Sequence, residues 1–266
     1  MFGLLAASLI SPFFVDLTPE IRTTYQSLGK LVEDRPMQIT HLRTGLDTGQ
    51  IRDGVDFGRF GFYNWDVSSL TDRRSDVHRH ALYHTEYGGF WDYTLDIADG
   101  WKLKNGVLCA WTIYRGFEKE TGNGEFWWWE VSQSLVNPYL VPYYRMRRYV
   151  SGSDYFYFRA GVRRKFRFLD DFYVTPEVYV DGGNDRNYRR VIGENSNGGD
   201  WGAGGVSSLT FRLELGWELN ANFTVFAFVE QYEVTGHDAR ASNAASSNVC
   251  AHNDLTLGGV GLRLKF

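Results

Sequence analysis

The chain has 266 residues, with 28 basic against 32 acidic side chains and a net charge of −4, a balance that argues against nucleic-acid binding, which needs a basic face. Its two cysteines, Cys109 and Cys250, lie in unlike surroundings and form no CxxC pair, so no metal or redox centre is read from them. Mean hydropathy is −0.34, and no apolar run approaches the roughly 20 residues of a membrane helix, whereas 17% aromatic residues, 29 Gly and only 6 Pro fit strands and tight turns.

In chain order, the opening MFGLLAASLISPFF is apolar and carries neither Lys nor Arg before Arg22. Residues 1–19 are therefore expected as a signal remnant or an N-terminal periplasmic segment. Strands are expected near 20–31 and 37–46, joined at EDRP, and near 55–69 ahead of the outer loop TDRRSDVHR. The next strand carries Glu86, Asp92 and Asp96 before Trp101, and Lys104-Asn105-Gly106 reads as a turn at the periplasmic end. After the outer loop KETGNG, Trp127 and Trp129 share a face with Val131 and Leu135, and Asn137-Pro138 turns the chain back.

Residues 138–150 and 155–168 form a pair joined at SGSD. In the second, Phe156, Phe158, Ala160, Val162, Phe166 and Phe168 alternate with Tyr157, Arg159, Gly161, Arg163, Lys165 and Arg167. Such period-two alternation places the two sets on opposite faces of a strand. Arg164 breaks the pattern and predicts a bulge or a snorkelling side chain; Arg148, also on the apolar face, lies near an outer loop within reach of anionic headgroups.

Leu169-Asp170 is a tight turn into 171–182, where Phe172, Val174, Pro176, Val178 and Val180 share a face. A long polar loop, NDRNYRRVIGENSNGGDW, leads to SLTFRLELGW, which alternates again, and a turn at Asn220 leads to a strand over 223–234. A second long loop, GHDARASNAASSNVCAHND, precedes the last strand, in which Val260, Leu262, Leu264 and Phe266 alternate with Gly259, Gly261, Arg263 and Lys265.

These strands run to about ten residues, the span of a tilted membrane strand. Long and short connections alternate, as in barrels with outer loops and periplasmic turns. The pattern predicts one all-β domain over 1–266. Its form is a single closed antiparallel up-and-down transmembrane β-barrel of about 12 strands, the even number keeping both ends in the periplasm. A soluble β-sandwich is the competing fold.

The segments TYQSLGKLVEDRPMQ, GRFGFYNWDV, FWDYTLDIADGWKLKNGVLCAWTIYR and EFWWWEVSQSLVNPYLVPYYRM, with the ending VGLRLKF, give the chain its resemblance. It resembles Gram-negative outer-membrane β-barrels and is similar to porins of the TorF-like kind. It departs where such proteins carry Arg-Gly after the first Tyr and this chain has Gln26-Ser27-Leu28-Gly29. The resemblance implies an outer-membrane location in contact with lipid and lipopolysaccharide. It also implies recognition of Phe266 by the barrel-assembly machinery, and it assigns no functional residues.

The sharpest set of candidate site residues is a basic lumen wall of Arg145, Arg147, Arg159, Arg163, Lys165 and Arg167, with acidic counterparts Glu86, Asp92, Asp96, Glu130, Glu177, Asp181 and Glu214. The wall reads either as an anion-attracting pore or as a filled interior held by ion pairs. Trp127, Trp129, Trp217, Phe168, Phe172 and Phe266 are the expected aromatic girdles. His78, His80, His84 and Glu86 share parity, but parity alone is too little for a metal site. Asp181 to Asp185 lacks the full spacing of a calcium loop and reads as a polar turn.

Ser132, Ser134 and His84 offer hydrolytic side chains without a GxSxG elbow, so no enzyme and no cofactor is expected. The expected function is a narrow porin-like channel for small solutes, anions among them, with a basic lumen wall. A filled barrel displaying loops 184–204 and 236–253 to a protein partner is the alternative, ahead of an outer-membrane hydrolase.

Overall fold

A computed structural model of the chain describes residues 12–27, 30–33, 36–51, 56–70, 83–115, 125–150, 156–184, 205–235 and 254–266. The strands are β1 (Phe13–Arg22), β2 (Tyr25–Ser27), β3 (Lys30–Glu33), β4 (Met37–Asp47), β5 (Arg59–Ser69), β6 (Tyr83–Ala98), β7 (Trp101–Arg115) and β8 (Glu125–Val136). They continue as β9 (Val141–Tyr149), β10 (Phe156–Arg163), β11 (Phe166–Arg167), β12 (Phe172–Gly183), β13 (Gly205–Glu218), β14 (Phe223–Val234) and β15 (Asp254–Lys265). β2 and β3 pair only with each other.

Each remaining strand pairs antiparallel with its sequence neighbours, and β1 pairs with both β4 and β15, which closes the ring. β10 and β11 both pair with β12 and make one interrupted stave, so the barrel has 12 staves. The seam is sealed by Val15 N donating to Phe266 O at 2.7 Å and Phe266 N donating to Val15 O at 2.9 Å. Phe13, Phe266 and the short turns share one rim. Two of those turns are built by asparagine: the Asn137 side-chain oxygen accepts from the Tyr139 and Leu140 amides at 2.9 and 3.1 Å, and that of Asn220 from Asn222 and Phe223 at 2.8 and 3.0 Å.

The side chains sort inside-out. Along β13, Phe211, Leu213, Leu215 and Trp217 point outward and are 44–50% exposed, while Thr210, Glu214 and Gly216 point inward and are buried. Inward aromatics lie along the wall over glycines of the next strand. A Cβ on Gly259 or Gly261 of β15 would stand 2.6 Å from the ring of Phe228 or Phe226 of β14.

Three expectations are corrected. Residues 13–19 lie within the first barrel strand rather than ahead of it; residues 1–11 lie outside the described residues. The first stave is therefore Phe13–Arg22 rather than 20–31, because Phe14, Asp16, Thr18 and Glu20 alternate with Val15, Leu17, Pro19 and Ile21. Lys104-Asn105-Gly106 is mid-strand, and the turn lies at Gly100, whose φ of 71° suits glycine. Gly106 faces inward where a Cβ would meet the Ser132 hydroxyl at 2.6 Å, and Asn105 accepts a hydrogen bond from Gln133 at 2.8 Å.

At Arg164 there is no bulge. Arg163 pairs with Glu177 and Phe166 with Val174, so the register advances equally on both strands. The ladder is interrupted because Pro176 has no N–H to give; Arg164 N still donates to its carbonyl at 3.1 Å. The Arg164 guanidinium lies 4.7 Å from the Phe166 ring centre, close to the turn at Leu169, consistent with snorkelling.

Placing a charge on the apolar exterior should be costly. Leu213→Arg, midway along β13, is expected to destabilise the barrel in lipid vesicles by about 2–4 kcal/mol in urea unfolding.

Candidate functional site: the ion-paired interior and its chamber

The interior is built from one repeated unit: an inward arginine held over an inward aromatic ring, with its guanidinium reaching a carboxylate one or two strands away. Arg43 lies 3.7 Å from the Phe90 ring centre and 2.7 Å from Asp92. Arg59 lies 3.6 Å from the Phe14 ring and 2.8 Å from Asp16. The ring supplies a polarisable face for the cation and the carboxylate offsets its desolvation.

A deeply enclosed unit centres on Glu86 of β6, 1% exposed. It accepts hydrogen bonds from the Tyr63 hydroxyl at 3.2 Å, the Thr112 hydroxyl at 3.3 Å and Arg147 Nη1 at 3.2 Å, with His84 Nε2 also at 3.2 Å. Arg147 Nε donates to Glu130 at 3.0 Å while its guanidinium lies 3.6 Å from the Trp128 ring. Trp128 Nε1 in turn donates to Thr112 at 2.6 Å. Phe14, Tyr63, Phe90, Phe126, Trp128 and Tyr149 pack as an apolar cluster beside this network and fill one side of the barrel.

Two further units complete the wall. Asp181 of β12, fully buried, takes Arg159 Nε at 2.7 Å and Nη2 at 3.0 Å and the Tyr157 hydroxyl at 2.5 Å; Arg159 stacks 3.8 Å from Tyr179. Glu214 of β13 takes a two-pronged contact from Arg263 at 2.8 and 2.7 Å, and Arg212 Nη2 at 3.1 Å. Arg212 also bonds Glu230, and the two arginines lie on Phe228 and Phe226.

Between these walls lies a chamber of about 350 Å³. Arg145, Arg147, Arg159 and Arg212 line it on one side, with Glu20, Arg22, Ile39, Tyr63 and Trp65 contributed by β1, β4 and β5.

The sequence-predicted basic wall divides in two. Arg145, Arg147 and Arg159 line the chamber. Arg163 is exposed and 5.4 Å from the Tyr143 ring, and Lys165 and Arg167 meet Glu218 near the turn rim, Arg167 at 2.6 Å. Among the acidic residues, Glu86, Asp92, Glu130, Asp181 and Glu214 hold arginines, and Glu177 accepts the Tyr143 hydroxyl at 2.5 Å. Asp96 is not in the lumen: the β6–β7 hairpin runs past Asp92, the last residue paired to β5, and Asp96 is 74% exposed beside Lys102.

Outward aromatics form rows at both ends. Trp127 stacks on Trp111 at 5.7 Å, with Tyr87 5.2 Å beyond and Trp129 on the same face. At the turn end Phe168, Phe172 and Trp217 follow at 6.1 and 5.5 Å, and Phe266 meets Phe223 at 5.7 Å.

His78 and His80 lie outside the described residues, as does most of both long loops. His84 is buried against Glu86, and no hydrogen bond among the described residues joins it to Ser132 or Ser134. Among the described residues no group of His, Cys, Asp and Glu has the makings of a metal site. Sequence reasoning missed the inward arginines Arg22, Arg43, Arg59 and Arg263 as members of the site. Period-two parity is the signal that could find them: Arg263 shares a face with Gly259 and Gly261 in the last strand, and Arg22, Arg43 and Arg59 lie in β1, β4 and β5.

No family model matches the chain, and no curated protein matches it in sequence. Among solved structures it is similar to the KdgM porin, at 12% identity and a TM-score of 0.46 over 95% of this chain and 99% of that one. It is also similar to LpxR from Salmonella typhimurium, at 8% identity and 0.46 over 94% and 99%. The outer-membrane channel DcaP of Acinetobacter baumannii follows, at 7% and 0.39 over 96% of each chain.

Removing one partner of a buried pair should cost more than removing both. Asp181→Ala is expected to destabilise the barrel by about 3–5 kcal/mol, and the double variant Asp181→Leu with Arg159→Met to recover most of that loss in the same unfolding assay.

Proposed function

We propose that the chain spans a Gram-negative-type outer membrane as a narrow channel for small polar solutes, with a preference for anions. The observation that carries this reading is the charged, unfilled chamber inside a barrel whose exterior is apolar. A 12-stave barrel stands between eight-strand barrels filled by side chains and 16-strand porins with open channels. An apolar belt of Leu, Val and Phe bordered by aromatic rows is suited to hydrocarbon with interfaces on both sides. The motif resemblance to TorF-like porins and the terminal Phe266 as an assembly signal belong to the same reading.

Most of the lining arginines hold carboxylates, and the preference for anions is carried by Arg145, whose buried Nε has no acceptor. Such pairs make a polar surface that small solutes can cross without meeting a strong fixed field. One observation favours a second reading, a filled barrel that works through its loops: the Glu86 network and the aromatic cluster occupy one side of the interior.

Planar bilayers holding the refolded full chain separate the two. The channel reading expects discrete conductance steps and a reversal potential shifted toward the anion in a salt gradient. A barrel that inserts, migrates as folded and insulates contradicts it in favour of the filled form.

A further inference from the structure

We infer that the chamber holds a binding subsite for one small organic monocarboxylate, centred on Arg145. Five arginines line the chamber. Four have carboxylates of the protein: Arg22 with Glu20 at 2.6 Å, Arg147 with Glu130 at 3.0 Å, Arg159 with Asp181 at 2.7 Å, and Arg212 with Glu214 at 3.1 Å. Among the described residues Arg145 has no carboxylate within ion-pair distance, and its Nε is buried with no hydrogen-bond acceptor. The centre of the Tyr157 ring lies 5.8 Å from its guanidinium.

The surroundings explain why the protein leaves this cation unpaired. Arg145 stands directly across the β9–β10 ladder from Arg159 and two residues from Arg147. The nearby carboxylates Asp181 and Glu130 are already taken by those two arginines. A guanidinium whose buried Nε donor is unmet gains most from an incoming carboxylate, whose two oxygens match its fork.

The same surroundings set the class of ligand. Glu20, Glu177 and Glu230 line the chamber too, so a second negative charge on the ligand would meet like charges. That disfavours sulfate and other dianions. Ile39, Tyr63 and Trp65 on the far wall offer an apolar and aromatic surface to the body of an organic acid. The subsite rests on the channel reading only for its access from solution.

The test uses the refolded full chain in detergent, with benzoate as the probe and equilibrium dialysis as the readout. Saturable binding of one benzoate per chain is expected, with neither benzamide nor sulfate competing. Arg145→Gln should weaken benzoate binding by roughly tenfold or more, with heat-resistant migration retained. Arg145→Lys, which keeps the charge and loses the fork, should fall between the two and carries the test should the glutamine variant fail to fold.

Equal binding of benzoate and benzamide, absence of saturable binding, or wild-type affinity in the variants overturns the subsite. The same preparations in planar bilayers keep the two readings apart. A barrel that binds benzoate through Arg145 yet insulates overturns the channel and keeps the subsite. A barrel that conducts without binding benzoate does the reverse.

Discussion

The backbone ladder between the first and last staves is the constraint on which the rest depends. A strand whose amides face hydrocarbon must find every partner within the protein, and a closed ring is the one sheet arrangement that leaves no edge. Leu17 paired with Leu264 and Ile21 with Val260, sealed by the mutual bonds of Val15 and Phe266, remove that edge. Closure then makes period-two alternation decisive, because each residue is committed either to the apolar exterior or to the enclosed interior.

The enclosed side poses the opposite problem, since charges taken from bulk water need compensation. The interior solves it locally rather than by one central cluster. A ring laid over the wall carries a guanidinium, and the guanidinium holds a carboxylate from a nearby strand, as in Phe14–Arg59–Asp16 and Trp128–Arg147–Glu130. Glycines make this possible, because the rings of Phe226 and Phe228 lie where a Cβ on Gly261 or Gly259 would stand. The wall stays thin, most of the charges stay paired, and a chamber is left between the units.

The long apolar stripes made most of this legible in the sequence. Strands such as SLTFRLELGW and the last stave could be read from alternation alone, and the turns at Asn137 and Asn220 from their side-chain chemistry. The first stave was obscured because Phe13–Ile21 follows an apolar opening segment and includes Pro19. The KNG tripeptide misled because its Gly106 serves close packing against Ser132 rather than a turn. The polar parity of 145–167 was visible, but which arginines meet which carboxylates depends on register between strands far apart in sequence, as Arg147 does with Glu86 and Arg263 with Glu214. Phe90, Phe126 and Phe228 are interior, because a ring can serve as a platform for a cation as well as a contact for lipid.

Single-cysteine labelling along β13 measures the sorting directly. In a background with Cys109→Ser and Cys250→Ser, an environment-sensitive fluorophore is placed in turn at each position from 209 to 217 of the barrel in vesicles. Quenching by a lipid-soluble reagent should be strong at 209, 211, 213, 215 and 217 and weak at the positions between, where a water-soluble quencher should gain instead. Quenching that does not alternate with period two along this strand would contradict an apolar exterior wrapped around a charged interior.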